Sequence, residues 1–231
     1  MRVSDSTYYT LKRLHSLSGV VPIGAFLLEH FLTNSRALQG AAAFDRAAAE
    51  LAGLPYVVLL EAGGIWMPIL FHMVLGILIA TTSQANLDRH GYARNWHYSL
   101  QRFSGLFLVL YLVYHTWSTR FSAEAMSAPS LFAYMREHLS HPGVFAFYVL
   151  GVIAACYHFG NGLFGFAIHW GLVTSRSAQR WAGRAAMAVV VVLSLVGINA
   201  LLAFTGHGLN LFQKHAPPPA DVTVMNASEH R

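Results

Sequence analysis

Five stretches of this sequence stay apolar for about the thickness of a bilayer, and few folds accommodate that pattern. They cover residues 14–32, 55–80, 98–117, 144–173 and 185–206. A helix needs about 20 apolar residues to cross the hydrocarbon. No water is present there to satisfy backbone N–H and C=O groups, so such runs must be helical. A barrel would show alternating strands of about ten residues, and no such pattern occurs. Asp, Glu, Lys and Arg make up only 11% of the chain, against about 25% in soluble domains. The predicted class is therefore an all-α integral membrane protein with five transmembrane helices. The second and fourth runs exceed the minimum and are expected to tilt or to project beyond the lipid.

The charges between the runs give the orientation. With the N-terminus in the cytoplasm, that side holds Arg2, Lys12, Arg13, Arg89, Arg94, Arg102, Arg176, Arg180 and Arg184. The other side holds Arg36, Arg46, Arg120, Arg136, Lys214 and Arg231. Cytoplasmic loops are enriched in Lys and Arg, so nine against six favours a cytoplasmic N-terminus. The basic balance is topological and does not indicate nucleic acid. The longer outer loops, 33–54 and 118–143, have room for short surface helices. Residues 1–13 are polar and the first run is longer than a signal-peptide core, so no cleavable signal is expected. Residues 1–215 read as one transmembrane domain. Residues 216–231, opening Ala216-Pro217-Pro218-Pro219, read as a disordered tail.

Histidines carry the chemistry. Four of the thirteen lie well inside apolar runs, one in each of the first four: His30, His72, His115 and His158. The other nine, His15 and His169 among them, read as interfacial or solvated. Ionisable groups in the membrane are costly and are usually functional. Each of the four lies 13–17 residues from the start of its own helix, about 20–25 Å at 1.5 Å per residue. Successive helices run in opposite directions, so His30 and His115 fall at one depth, towards the outer face. His72 and His158 fall at another, towards the cytoplasm. In an up-down-up-down bundle, helices one and three face each other diagonally, as do two and four. Each pair is thus able to grip one flat macrocycle from both sides.

Two imidazoles without thiolate or carboxylate make a poor zinc site. Two axial imidazoles are what a six-coordinate, electron-transferring haem requires. The expectation is two b haems stacked across the membrane, bound without covalent attachment because no C-x-x-C-H occurs. Glycines on the four helices, including Gly19, Gly24, Gly76, Gly105 and Gly160, would allow close helix or macrocycle approach. Pro22 and Pro68 lie within spans and are expected to kink them. The one cysteine, Cys156, cannot build an iron–sulfur cluster, so any such cluster belongs to another chain.

Several segments, taken together, resemble the five-helix diheme cytochrome b anchor of bacterial succinate dehydrogenases and fumarate reductases. They are Arg13-Leu14-His15-Ser16-Leu17-Ser18-Gly19, Leu28-Glu29-His30-Phe31-Leu32-Thr33-Asn34, Phe71-His72, Ser99-Leu100-Gln101-Arg102-Phe103-Ser104-Gly105, and Tyr157-His158-Phe159-Gly160-Asn161-Gly162. The resemblance spans about residues 8–206. It implies haem ligation at the same four histidines and a location in the bacterial cytoplasmic membrane. It also implies partners, a flavoprotein with covalent FAD and an iron–sulfur subunit with three clusters, with electrons passing to or from menaquinone or ubiquinone. Where some diheme fumarate reductases carry a glutamate two residues before the fourth-helix ligand, this sequence has Cys156. That substitution speaks against a coupled proton path of that kind.

A quinone site needs a proton-exchanging group beside a haem edge, and Glu61 on the outer part of helix two is the best candidate. Glu29 adjoins His30 but points about 100° away around the helix. Haem propionates want donors at the inner helix ends, for which His15, Ser18, Arg102 and His169 are candidates. Arg94, His97 and Arg176 are placed to meet the iron–sulfur subunit. Two alternatives are a hydrogenase- or formate-dehydrogenase-type cytochrome anchor and a non-redox transporter that relays protons through histidines.

Overall fold

The computed structural model describes residues 4–82 and 91–210, all helix and connecting turns. The proposed tail and the charges at Arg2, Arg89, Lys214 and Arg231 lie outside these residues. The first rod is two helices, α1 (Asp5–Val20) and α2 (Pro22–Asn34), extended by a tight turn over Ser35–Gln39. Ser4 caps α1 by accepting from Thr7 N. Pro22 opens α2 at a position where its missing N–H is tolerated. After α3 (Ala41–Ala52), the second rod consists of α4 (Val57–Glu61), a wide π turn over Ala62–Trp66, and α5 (Met67–Thr82). The wide turn lets Met67 N reach back to Ala62 O immediately before Pro68. Pro68 cannot donate a backbone hydrogen bond of its own. The third rod is α6 (Ala93–Thr116), ending in a second π turn over Trp117–Phe121. Two short helices, α7 (Ala123–Ser127) and α8 (Leu131–Ser140), lead into α9 (Pro142–His169) and α10 (Arg176–Phe204).

Among the described residues, four helical stretches are long and apolar enough to cross a membrane: Asp5–Gln39, Val57–Thr82, Pro142–His169 and Arg176–Phe204. The expected third span differs. With 24 residues, α6 is long enough, but Gln101, Arg102 and His115 dilute its apolar run. The expected loop helices are present as α3, α7 and α8. The spanning rods turn much of their apolar surface outward, as lipid-facing helices do. No residue of α5 is buried, and Leu110 of α6 is 68% exposed.

The rods alternate in direction and close a ring. At one end, Tyr9 on α1 donates its hydroxyl to His169 O at the end of α9 (3.3 Å). Arg94 at the start of α6 donates to Gln179 at the start of α10 (3.2 Å). At the other end, Arg120 after α6 pairs with Glu61 before α5. α5 packs against α1 and α6, and α9 packs against α1 and α6. The first rod therefore faces α6 across the ring, and α5 faces α9. α10 lies outside, along α9. It comes close because Gly197 leaves room for Val152 and Phe31.

A core of Phe31, Phe44, Leu139, Tyr148, Cys156 and Phe204 gathers where α2, α3, α8, α9 and α10 meet. Asp45 ties α3 to α8, accepting from Phe132 N (2.9 Å) and Ser130 Oγ (2.6 Å).

Candidate functional site

The diagonals of the ring carry the four intramembrane histidines. The His30 and His115 rings stand 5.8 Å apart, centroid to centroid, at an interplanar angle of 85°. The His72 and His158 rings stand 6.0 Å apart at 84°. These are the pairs expected from helix depth. Among the described residues, no three His, Cys, Asp or Glu side chains converge as a bare ion would require. The donor set is two separate pairs of imidazoles, which suits a planar group that brings its own equatorial ligands and does not suit zinc.

The His72 and His158 rings are held in the same way. His72 Nδ1 lies 3.0 Å from His15 O and 3.2 Å from Ser18 Oγ. His158 Nδ1 lies 3.1 Å from Gln101 O and 3.3 Å from Ser104 Oγ. The next residue on each supporting helix is glycine. A Cβ at Gly19 would stand 2.5 Å from His72 Cε1, and one at Gly105 would stand 2.8 Å from His158 Cε1. Anything larger than glycine would push the ring aside. An imidazole anchored at Nδ1 with Nε2 directed inward is the usual arrangement of a metal-bound histidine.

The His30 and His115 pair is built differently. His115 Nδ1 is buried without a hydrogen-bond partner. The Tyr111 ring stacks beside His115 at 5.5 Å and 11°, and the Tyr148 ring stands edge-on to it at 5.5 Å. Tyr148 is 1% exposed, and its hydroxyl meets Ser118 Oγ at 3.2 Å. Tyr134 donates to Ser118 O. Apart from the histidines themselves, this lining of tyrosines was missed in the sequence. Its signal was Tyr111 one helical turn before His115.

The residues picked as propionate donors divide. His15 is not interfacial. Its ring stacks on His72 at 3.9 Å and 15°, and its Nε2 is buried without a partner, in space left by Gly76. Ser18 is occupied by the His72 anchor. Arg102 bonds Tyr98 and lies over its ring at 3.8 Å. His169 is exposed at the end of α9. Arg13, not picked from the sequence, stands over Trp170 at 4.0 Å, with its Nε buried and unpartnered. Arg13 Nε and His15 Nε2, two residues apart on α1 at the His72 end of the bundle, are each a buried nitrogen without a partner, and each is able to donate to an anionic group.

Glu61 lies at the other end, where the two π turns face each other. One terminal nitrogen of Arg120 reaches both Glu61 carboxylate oxygens at 3.1 Å. Trp66 and Phe121 approach to 6.1 Å beside this ion pair. Such turns recur at functional positions in helices. Glu29 instead accepts from Thr33 Oγ1 at 2.5 Å. Cys156 is fully buried. At the His72 end, Arg94, His97, Arg180 and Arg184 line an open cleft of about 480 Å³ between α6, α9 and α10.

Comparison with known proteins adds two findings. Residues 84–197 match the profile of a family described as the succinate dehydrogenase/fumarate reductase transmembrane subunit. The chain is also similar to the succinate dehydrogenase cytochrome b558 subunit of Bacillus subtilis (strain 168), at 38% identity over 202 residues. That alignment covers 87% of this chain and the whole of the relative.

Proposed function

Since the chain belongs to the succinate dehydrogenase/fumarate reductase transmembrane-subunit family, and is a cytochrome b anchor of such a complex, we propose that it holds two b haems, one between His30 and His115 and one between His72 and His158. Membership removes the alternatives of a hydrogenase-type anchor and a proton-relaying transporter. The observation that carries the two-haem reading is the pairing of intramembrane imidazoles across both diagonals, at 5.8 and 6.0 Å. Among the described residues no third His, Cys, Asp or Glu side chain joins either pair in a group able to hold a metal ion, and the glycines beside His72 and His158 make room for those rings.

The haems supply one-electron carriers, and the protein supplies their spacing, axial bases and surroundings. His72 and His158 sit towards the end where α1, α6 and α10 begin, and His30 and His115 sit towards the other. With the N-terminus in the cytoplasm and α6 as the third of five spans, the inner pair lies nearer the iron–sulfur subunit. A membrane subunit of this family works with a flavoprotein and an iron–sulfur partner. In this reading the flavoprotein carries covalent FAD and the iron–sulfur subunit carries three clusters. The basic cleft of Arg94, His97, Arg180 and Arg184, with Arg176 beside it, is the dock, in the cytoplasmic membrane of a bacterium. Arg13, Arg102 and His15 hold the propionates of the inner haem, and His169 extends that donor group at the surface.

Glu61 serves quinone, menaquinone or ubiquinone, at the outer end. Its carboxylate is able to take or release the protons that accompany quinone reduction and oxidation, and the ion pair with Arg120 keeps it aimed. Residues 1–215 form the one transmembrane unit. The direct test is a reduced-minus-oxidised spectrum with haem quantitation on the purified complex. Two low-spin b haems per chain is the expected result, and zero or one in a fully loaded preparation overturns the proposal.

A further inference from the structure

We propose that the chain builds one histidine cradle twice, and that Ser18 and Ser104 are positioning residues that fix the Nδ1-protonated form of His72 and His158, presenting a bare Nε2 to iron. The proposal rests on His72 and His158 being haem ligands.

The available protons fix the tautomer. A serine hydroxyl has one proton to donate. Ser18 Oγ donates it to His15 O at 2.8 Å, and Ser104 Oγ donates it to Gln101 O at 3.1 Å. Towards the ring each hydroxyl then offers only lone pairs. Nδ1 of His72 faces two acceptors, His15 O and Ser18 Oγ. Nδ1 of His158 faces two more, Gln101 O and Ser104 Oγ. A ring nitrogen between two acceptors has to carry the hydrogen, so Nε2 keeps its lone pair. The nitrogen that binds metal is set by the bond its neighbour makes. Gln101 Nε2 also approaches His158 Nδ1, at 3.3 Å. That nitrogen gives one of its two protons to His158 O at 3.0 Å and the amide oxygen accepts from Asn161 at 2.7 Å; the closer contact of Nδ1 is with the carbonyl of Gln101, at 3.1 Å, which only accepts.

The spacing is the same in both halves. The serine precedes its histidine by 54 residues, and the accepting carbonyl precedes it by 57, in each case. The glycine follows the serine directly in both. Carbonyl, hydroxyl and missing side chain thus recur on one helix face as x-x-x-Ser-Gly, with the ligand on the following spanning rod. The outer pair gives an internal contrast, because His115 Nδ1 has no partner.

The test uses the intact complex, with Ser18 and Ser104 each changed to alanine and to threonine. Threonine keeps a hydroxyl that bonds the same preceding carbonyl in a helix. Removing a supporting partner of this kind typically weakens metal binding roughly 10–100-fold. If the Ser104→Ala complex keeps its haem, one haem should change midpoint potential and low-spin EPR signature while the other stays as in the parent. If it loses haem, the loss should be confined to one haem per chain and be reversed in Ser104→Thr. Ser18→Ala should affect the same haem. Unchanged potential and EPR in both alanine variants overturns the proposal, as does equal haem loss in alanine and threonine variants. Failure of the ligand reading is recognised separately: His158→Ala would then leave haem content untouched.

Discussion

A methyl group placed on Gly105 would stand 2.8 Å from Cε1 of His158, closer than side chains pack. The ring would have to leave its anchors on Gln101 O and Ser104. Gly105→Ala and Gly19→Ala are therefore expected to lose or destabilise the inner haem and leave the outer one in place, read as about one haem per chain by pyridine haemochrome. Gly165, also helical but with nothing within 4 Å of an added Cβ, is the control. Gly165→Ala should keep both haems and, by helix propensity, gain up to about 1 kcal/mol.

The pairing itself is tested by removing single imidazoles. A haem that loses one axial ligand becomes high-spin or dissociates, while its neighbour keeps both. His30→Ala and His115→Ala should damage one spectroscopic component, and His72→Ala and His158→Ala the other. If His30→Ala and His72→Ala removed the same component, the assignment of pairs by depth would be wrong.

The approach of these rings in pairs was legible because it depends on helix length and direction, which apolar runs report directly. Rods of alternating sense, each with one histidine deep in its apolar run, leave few ways to pair, and the rings of His30 with His115 and His72 with His158 do approach. The supports were less legible. Ser18 and His15 looked like surface donors because they lie near the start of an apolar run. That run begins deeper in the bundle than hydropathy suggests, since α1 starts at Asp5 and carries His15 against His72. Arg13 was read as a topological charge, and its packing on Trp170 depends on how α9 ends beside α1. The π turns at Ala62–Trp66 and Trp117–Phe121 leave no composition signal. They are a response of the backbone to Pro68 in one case, and the sequence offers no equivalent cause in the other.

Glu61 and Arg120 give a prediction that separates chemistry from simple pairing. An exposed ion pair contributes about 0–1 kcal/mol, and Arg120 is 57% exposed, so neither residue is needed for the fold. Glu61→Gln keeps the shape and removes the proton-exchanging group. Quinone turnover should fall by roughly 10²- to 10⁴-fold, the range expected for loss of a general acid–base, with both haem spectra intact. Arg120→Ala leaves the carboxylate and should cost less. Equal, small effects in the two variants would mean that Glu61 only pairs with Arg120.

The last prediction concerns charge movement. If the iron–sulfur partner docks at the inner end and quinone reacts beside Glu61 at the outer end, each electron crosses most of the membrane. Moving one charge across the full potential is worth about 2.3 kcal/mol per 100 mV. A compensating proton path would cancel that work, but the fourth span offers Cys156, fully buried, where such a path would need a carboxylate. Cysteine in this setting is a small apolar group and no proton carrier. Succinate oxidation sends electrons outward, from the negative to the positive side of an energised membrane, so the potential should assist it and oppose fumarate reduction. In energised vesicles containing the complex, collapsing the potential should slow succinate–quinone turnover and speed the reverse reaction. Rates that do not respond to the potential in either direction would mean that protons follow the electrons by another route, or that quinone reacts at the inner end.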